Sequence, residues 1–197
     1  MRTFTGVVLA GGVSRRMGQD KALLNIGADT MLDHTINLLR LAGASKTVVL
    51  GRGNGPNDVP DKHPHQGPAV ALVDFLATQP RGSRHLVVPL DMPNLSVKIL
   101  AELVRQSGWA YFESYPLPCL AIAGLAPSQF SRKIRGLQLK AKAKPLPVPP
   151  SSHHCFTNIN TPQDYNELSE MQYSSGALMD IGNIRPRPLT SGARPKD

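Results

Sequence analysis

Thr5-Gly6-Val7-Val8-Leu9-Ala10-Gly11-Gly12-Val13-Ser14-Arg15-Arg16-Met17-Gly18-Gln19-Asp20-Lys21 joins a short apolar, β-branched run to a glycine-rich, cationic loop. An apolar run of this length, Thr5 to Ala10, broken by two glycines reads as a buried parallel strand feeding a loop. Glycines just past a strand let backbone N–H groups converge on an anion, and Ser14, Arg15, Arg16 and Lys21 add hydroxyl and cationic donors. The stretch reads as a phosphate cradle. Its spacing is neither G-x-x-x-x-G-K-[ST] nor G-x-G-x-x-G, so P-loop ATPase and dinucleotide-binding readings lose support.

The elements that follow build a sheet around that strand. Leu32, Ile36 and Leu39 recur at helical spacing behind Asp29-Thr30, either of which can cap the helix start. Lys46 to Leu50 is a second strand ended by Gly51 and Gly53, and residues 51–66 read as a long loop, a length that in a compact domain usually signals function or mobility. Gly67-Pro68 opens a helix through Ala77. His85 to Leu90 is a third buried strand with Asp91 at its carboxyl end, and Val97, Leu100, Ala101 and Val104 mark the next helix. Strand and helix alternate three times, which predicts an α/β fold with a mostly parallel central sheet and helices on both faces, hence three layers.

The second half is less regular. Trp109 to Glu113 and Cys119 to Ala123 read as short strands around Pro116 and Pro118, and Ser128 to Leu139 as a basic helix. The prolines of Lys144 to Pro150 exclude a helix and leave an extended segment at an edge or in solvent. Thr161-Pro162-Gln163-Asp164 has the capping hydroxyl, first-turn proline and acid of a helix start, and the helix should run to about Gln172. We expect one domain over residues 1–173, with residues 1–108 forming one half and 109–173 the other. Residues 174–197 have the composition of a disordered basic tail.

The 197 residues carry a formal charge of +8, which invites a nucleic-acid reading until the charge is located. No Asp or Glu occurs between Ser114 and Gln163, a stretch holding Arg132, Lys133, Arg135, Lys140, Lys142 and Lys144. Together with the tail this accounts for the whole excess; the remainder has as many acids as bases. Between residues 128 and 150 the only aromatic is Phe130, so a stacking platform for single strands is lacking, and no duplex-reading motif is present. Nucleic acid is disfavoured. No apolar run approaches the roughly 20 residues a spanning helix needs. With no export signal and two isolated cysteines, Cys119 and Cys155, a cytoplasmic protein without membrane contact is expected. His63, His65 and the His153-His154-Cys155 run lack the spacing of a zinc site and read as solvated or packing residues.

Three strings, in order, resemble one known family. L-A-G-G-x-S-x-R-M-G-x-D-K at Leu9 to Lys21 is similar to the signature loop of the molybdenum cofactor guanylyltransferases, a branch of the nucleotidyltransferases. Pro89-Leu90-Asp91-Met92-Pro93 resembles their P-x-D-x-P, and Asn158-Ile159-Asn160-Thr161-Pro162 their N-x-N-T-P. Pro116 to Ala121 is similar to the segment where the family enters its acceptor-binding half. The likeness spans residues 5 to about 172 and implies a Rossmann-like nucleotidyltransferase fold.

It further implies that Leu9, Ala10, Gly11 and Gly12 line the guanine and ribose side, that Ser14 and Arg16 point to the phosphates, and that Lys21 touches the nucleotide. Arg16, Lys21 and Asp91 would be the catalytic residues. Asp91 would hold Mg2+, with Mn2+ as the alternative; a carboxylate at the end of a sheet strand, completed by triphosphate oxygens, suits such an ion. Asp61 falls near a nucleotide-contacting aspartate. Asn158 and Asn160 are candidate acceptor contacts. Arg132, Lys133 and Arg135 are either a docking surface for a polyanionic acceptor or a solvated face. The implied substrates are GTP and molybdopterin or its molybdenum-loaded form. Other cofactor-biosynthesis proteins, or the apoenzymes that receive the product, are candidate partners.

Two departures stand out. Ala71 occupies a glycine position in the family's G-P-L-x-G, here Gly67-Pro68-Ala69-Val70-Ala71, and Leu50 to Asn54 lacks an asparagine in the usual place. CTP therefore stays open as the nucleotide, as does a sugar-phosphate acceptor. A basic nucleotide-binding or nucleic-acid-binding protein without turnover is the reading from another class.

Overall fold

The computed structural model describes residues 2–11, 18–53, 55–124 and 131–174. β1 (Thr5–Leu9) is buried throughout, as its apolar run demands. A small antiparallel ribbon, β2 (Asn25–Ile26) with β3 (Asp29–Thr30), leads into α1 (Met31–Leu41), whose Thr30 hydroxyl accepts from the Asp33 amide and settles which of the two candidates is the cap. β4 (Lys46–Leu50) and β5 (Asp58–Val59) follow, then α2 (Pro68–Ala77), β6 (Arg84–Pro89) and α3 (Val97–Val104). The second half supplies β7 (Ala110–Phe112), β8 (Tyr115–Ile122), α4 (Ile134–Lys140), β9 (Lys144–Leu146) and α5 (Pro162–Ser174).

Seven strands form one sheet in the order β5-β4-β1-β6-β8-β7-β9. All are parallel except β8, which runs antiparallel to both β6 and β7. The chain leaves β1 for β4 on one side and returns to β6 on the other, so the ends of these strands form a topological switch point, where ligands of open α/β sheets settle. Crossovers from β1 to β4 and from β4 to β6 run in opposite directions, so right-handed connections put α1 and α2 on opposite faces; α3 contacts α1, and α4 contacts α2. The three-layer, mostly parallel α/β architecture expected from the sequence is present. Strands of both halves share one core, in which Leu86, Leu120 and Leu137 are fully buried, each such side chain contributing roughly 2 kcal/mol. No described helix is long and apolar enough to cross a membrane.

Several boundaries differ from expectation, each for a local reason. The loop over residues 51–66 contains β5, two residues too few to leave a periodic signal. The strand expected from Cys119 starts at Tyr115 and takes in both prolines. β6 pairs only with Cys119 to Ile122, so Pro116 and Pro118 lie where β8 has outrun that neighbour and donors are not required of them. The basic helix begins at Ile134, because the Ser131 hydroxyl accepts from the Lys133 amide and makes a turn there. Val97 is 37% exposed at the first position of α3, whose buried residues are Ile99, Leu100, Leu103 and Val104. In α1 the buried set is Met31, Thr35, Leu38 and Leu39, while Leu32 and Ile36 pack at its margin. Lys144–Leu146 is an edge strand, as the prolines require, but Pro150–Phe156 turns into a 3-10 helix. The expected tail lies outside the described residues.

His85 is a buried titratable group at the far end of β6. Its Nε2 lies 2.9 Å from the Ser83 hydroxyl, its ring meets Phe75 edge-on, and Nδ1 has no hydrogen-bond partner. Burial, assisted by Lys46, pushes its pKa down to about 4. The unfolded chain takes up a proton near the ordinary value of 6.5 and the folded protein does not, so stability falls as pH drops from there toward 4. His85→Leu should flatten this part of the profile. Urea midpoints that fall equally in both proteins between pH 7 and pH 4.5 would contradict it.

Candidate active site

A cavity of about 580 Å3 opens across the carboxyl ends of β1 and β6 and the start of β8. The β1 end contributes Leu9, Ala10 and Gly11, and the β6 end Pro89, Leu90, Asp91 and Met92. Ser114 to Leu117 and Phe156 close the far side. Gly12, Ser14, Arg15 and Arg16 lie outside the described residues.

The end of β1 is held by close backbone contact. Ala10 N donates to Leu50 O at 3.0 Å, and Gly51 N to Val59 O at 2.9 Å. Gly51 has φ +88°, and a Cβ placed there would lie 2.3 Å from Gly11 Cα and 2.6 Å from Gly11 N. Only glycine fits. Next in the chain, Arg52 reaches Asp20 at 2.7 Å, and Asp20 caps the short 3-10 turn Lys21–Leu23 by accepting from Ala22 N. These contacts tie the loop carrying Lys21 to the end of β4.

Lys21 projects across the cavity. Its Nζ donates to Ile159 O at 2.6 Å and to Asn160 Oδ1 at 3.0 Å, while Ile159 N donates to the Asp91 carbonyl at 2.8 Å. Three motifs far apart in sequence are thus joined: the glycine loop, the β6 end, and the asparagine segment before α5. That segment is fixed from behind, because the Asp164 carboxylate accepts from Asn160 N and Thr161 N at 2.7 and 2.9 Å. The same bonds hold the Asp164 carboxyl below its ordinary value. Asn158 lines the cavity, whereas Asn160 is engaged with Lys21.

Asp91 is where charge matters most. Burial raises its carboxyl pKa, opposed by Lys21 and by its own backbone N–H. Among the described residues no three His, Cys, Asp or Glu side chains gather to hold a metal. His63 instead approaches Asp74 at 3.7 Å, and His153 lies beside Tyr115. A single half-buried carboxylate suits an ion such as Mg2+, which keeps water and substrate phosphates as most of its ligands.

Other expected residues fall elsewhere. Asp61 and Ala71 line a separate cavity of about 120 Å3 beside β5 and α2. Arg132, Lys133 and Arg135 are exposed and do not line the main cavity. The Arg132 carbonyl backs onto Gly67 at the start of α2, and the Arg135 guanidinium sits 5.8 Å above the Tyr111 ring. Sequence reasoning missed Gly51 as a packing partner of the loop; its signal was a glycine directly after a strand. It also missed Tyr115 and Phe156, whose rings meet only through the fold.

A glycine at the end of the first strand of a sheet switch point, with a lysine and a strand-end carboxylate lining the same cavity, is the arrangement of an α/β nucleotidyltransferase. Residues 6–144 match the family described as MobA-like NTP transferase domain. The chain is 37% identical over 179 residues to the molybdenum cofactor guanylyltransferase of Xanthomonas euvesicatoria, spanning 85% of this chain and 95% of that protein. A probable molybdenum cofactor guanylyltransferase of Mycobacterium tuberculosis is 35% identical over 111 residues, 52% of this chain and 55% of that one. The crystal structure of molybdopterin-guanine dinucleotide biosynthesis protein A from Archaeoglobus fulgidus superposes with a TM-score of 0.67 at 22% identity, covering 87% of this chain and all of that one. The chain belongs to the molybdenum cofactor guanylyltransferase family.

Proposed function

We propose that this protein transfers GMP from GTP to the terminal phosphate of molybdopterin or its molybdenum-loaded form and releases pyrophosphate. The observation that carries the reading is the meeting of Lys21, Asp91 and the Asn158–Asn160 segment at one cavity beside the glycine turn. An acceptor phosphate oxygen attacks the α-phosphorus; a P–O bond forms there as the bond to the β-phosphate bridge breaks, and pyrophosphate departs with the electron pair. A phosphate monoester is largely ionised near neutral pH, so no strong general base is required. Both reactants are anions, and catalysis rests on positioning and charge neutralisation.

Leu9, Ala10 and Gly11, with Gly12 beyond them, bind base and ribose; Ser14, Arg16 and Lys21 receive the phosphates. Lys21 exchanges its neutral partners, Ile159 O and Asn160 Oδ1, for phosphate oxygens. Asp91 would hold Mg2+ or, in its place, Mn2+, and such an ion would supply neutralisation of the triphosphate charge and polarisation of the phosphoryl group. We place the reaction in the cytoplasm, and the dinucleotide product would pass to other cofactor-biosynthesis proteins or to apoenzymes.

Lys21→Ala should lower turnover about 100-fold or more, the usual scale for loss of one preorganised donor to developing charge, and should weaken Mg2+-GTP binding measured by calorimetry. Wild-type-like turnover would remove Lys21 from the site. Titrating GTP and CTP separately tests the base: tight binding of CTP and none of GTP would overturn the guanylyl assignment.

A further inference from the structure

The cavity is chemically lopsided. Its β1 end and middle hold the glycine turn, Lys21, Asp91 and Asn158, and Lys21 is the only cationic side chain among the described lining residues. The β8 end has no described charge. It presents Tyr115, Pro116, Leu117 and Phe156. Tyr115 and Phe156 stack with ring centroids 4.3 Å apart and planes 22° apart, and Phe156 in turn meets Phe112 edge-on at 5.2 Å. Phe112 and Phe156 are buried, at 1% and 3% exposure, whereas Tyr115 is half-buried. The three rings form a column whose base is core and whose outermost ring reaches the cavity.

Other contacts steady that outermost ring. Ser114, just before it, takes φ +69° at the turn from β7 into β8. The next residue, Pro116, is tied to α4 through its carbonyl, which accepts from Gln138 Nε2 at 2.6 Å. The Tyr115 hydroxyl lies 3.4 Å from His153 Nδ1 on the preceding turn of the 3-10 helix. A flat ring held this way offers a stacking surface at little cost in side-chain entropy.

We infer that the Tyr115–Phe156 stack is the platform for the flat pyrimidine end of the acceptor's pterin, with the acceptor's phosphate reaching back toward Lys21 and Asp91. This rests on the proposed transfer reaction. Strand order supports the placement: β6, whose carboxyl end leads into Asp91, stands between β1 and β8, so a nucleotide on the β1 side leaves the β8 side for the second substrate. The exposed arginines and lysine of residues 132–135 lie outside this surface, and acceptor recognition comes from ring stacking at one end and phosphate charge at the other.

The probe is a 6-substituted pterin monophosphate, whose ring fluoresces, titrated into the full chain in the presence of Mg2+-GTP. GTP binding is followed separately by calorimetry. Tyr115→Ala and Tyr115→Leu should each weaken pterin binding about tenfold or more, the usual scale of aromatic stacking, and leave the GTP affinity within twofold. Tyr115→Phe should keep both. Circular dichroism identifies a variant that fails to fold, and the Phe variant against wild type then shows whether the hydroxyl, rather than the ring, governs binding. Unchanged pterin affinity in folded Ala or Leu variants, a parallel loss of GTP affinity, a large loss in the Phe variant, or no pterin binding by wild type would each overturn the assignment. Failure of GTP binding itself would count against the transfer reaction, and so the two readings fail separately.

Discussion

Asp91→Asn is expected to lower turnover by about 1,000-fold or more while the protein stays folded and its Tm rises. Asp91 is the acidic group at the end of β6, beside Lys21 and in the middle of the cavity. An amide keeps the shape and removes the negative charge that would hold a divalent cation against the triphosphate. Losses of this size are typical when a group acts on charge that develops only in the transition state. The stability change has the opposite sign. Burial raises the Asp91 pKa in the folded state, so stability is greatest with the carboxyl protonated and declines as pH rises through the interval between the unfolded and folded values. At neutral pH the wild type carries that loss, and the Asn variant does not. On the acid side, activity of the protein should begin to fall above the ordinary carboxylate range. Turnover within tenfold of wild type would remove Asp91 from the reaction, and a lowered Tm would contradict the burial of a poorly compensated charge.

Gly51→Ala is expected to cost about 3 kcal/mol of stability, at the severe end for a single substitution, and to lower Tm by roughly 10 °C. Two effects add. The positive φ of +88° strains any residue with a Cβ, and here the new methyl would overlap Gly11 Cα and N at 2.3 and 2.6 Å. The neighbour is backbone and cannot rotate away, so the glycine turn must move and GTP affinity should fall with it. Gly82→Ala is the control: its φ is +81°, but a Cβ there meets nothing within 4 Å, so it bears the strain alone, about 1–2 kcal/mol. Equal losses in the two variants would show that the approach of Gly51 to Gly11 does not matter.

The parts legible from sequence were those in which local pattern and tertiary role agree. Lys46–Leu50 and Pro68–Ala77 have the expected bounds, because a β-branched run ended by glycine, and a proline at a first helical turn, each specify one outcome. The stripes of α1 and α3 were right in part: Leu39, Leu100 and Val104 are buried as expected, whereas Leu32 and Ile36 pack at the margin and Val97 is exposed, because both helices are apolar on more than one face near their starts. Rotation is then chosen by the partner, as when Leu39 packs where a Cβ on Gly6 would otherwise sit. Arg84 is another case of context. By sequence the third strand begins at His85, yet Arg84 opens it at 9% exposure, and its guanidinium donates to Val104 O and, at 3.0 Å, to Gln106 O, satisfying carbonyls at the end of α3.

The candidate site divides the same way. Asp91, Lys21 and Asn158 sit in motifs with fixed spacing beside a strand or helix end, and the fold brings all three to one cavity. Asp61 was assigned from the family resemblance alone; the chain after β5 carries it instead to the smaller cavity. The exposed positions of Arg132, Lys133 and Arg135 follow from the short α4, which turns Ile134, Leu137 and Gln138 inward. Tyr115 and Phe156 gave no local sign, since an aromatic column exists only when β7, β8 and the 3-10 turn are assembled.

The measurement that bears most directly on the whole account is a single-turnover reaction of the full chain with GTP labelled at the α-phosphate, molybdopterin and Mg2+. Label should appear in a guanine dinucleotide product in step with one pyrophosphate per GMP transferred, and Asp91→Asn should abolish both. Label that remains in GTP although acceptor and nucleotide are both bound, or a wild-type rate in the Asp91 variant, would contradict it.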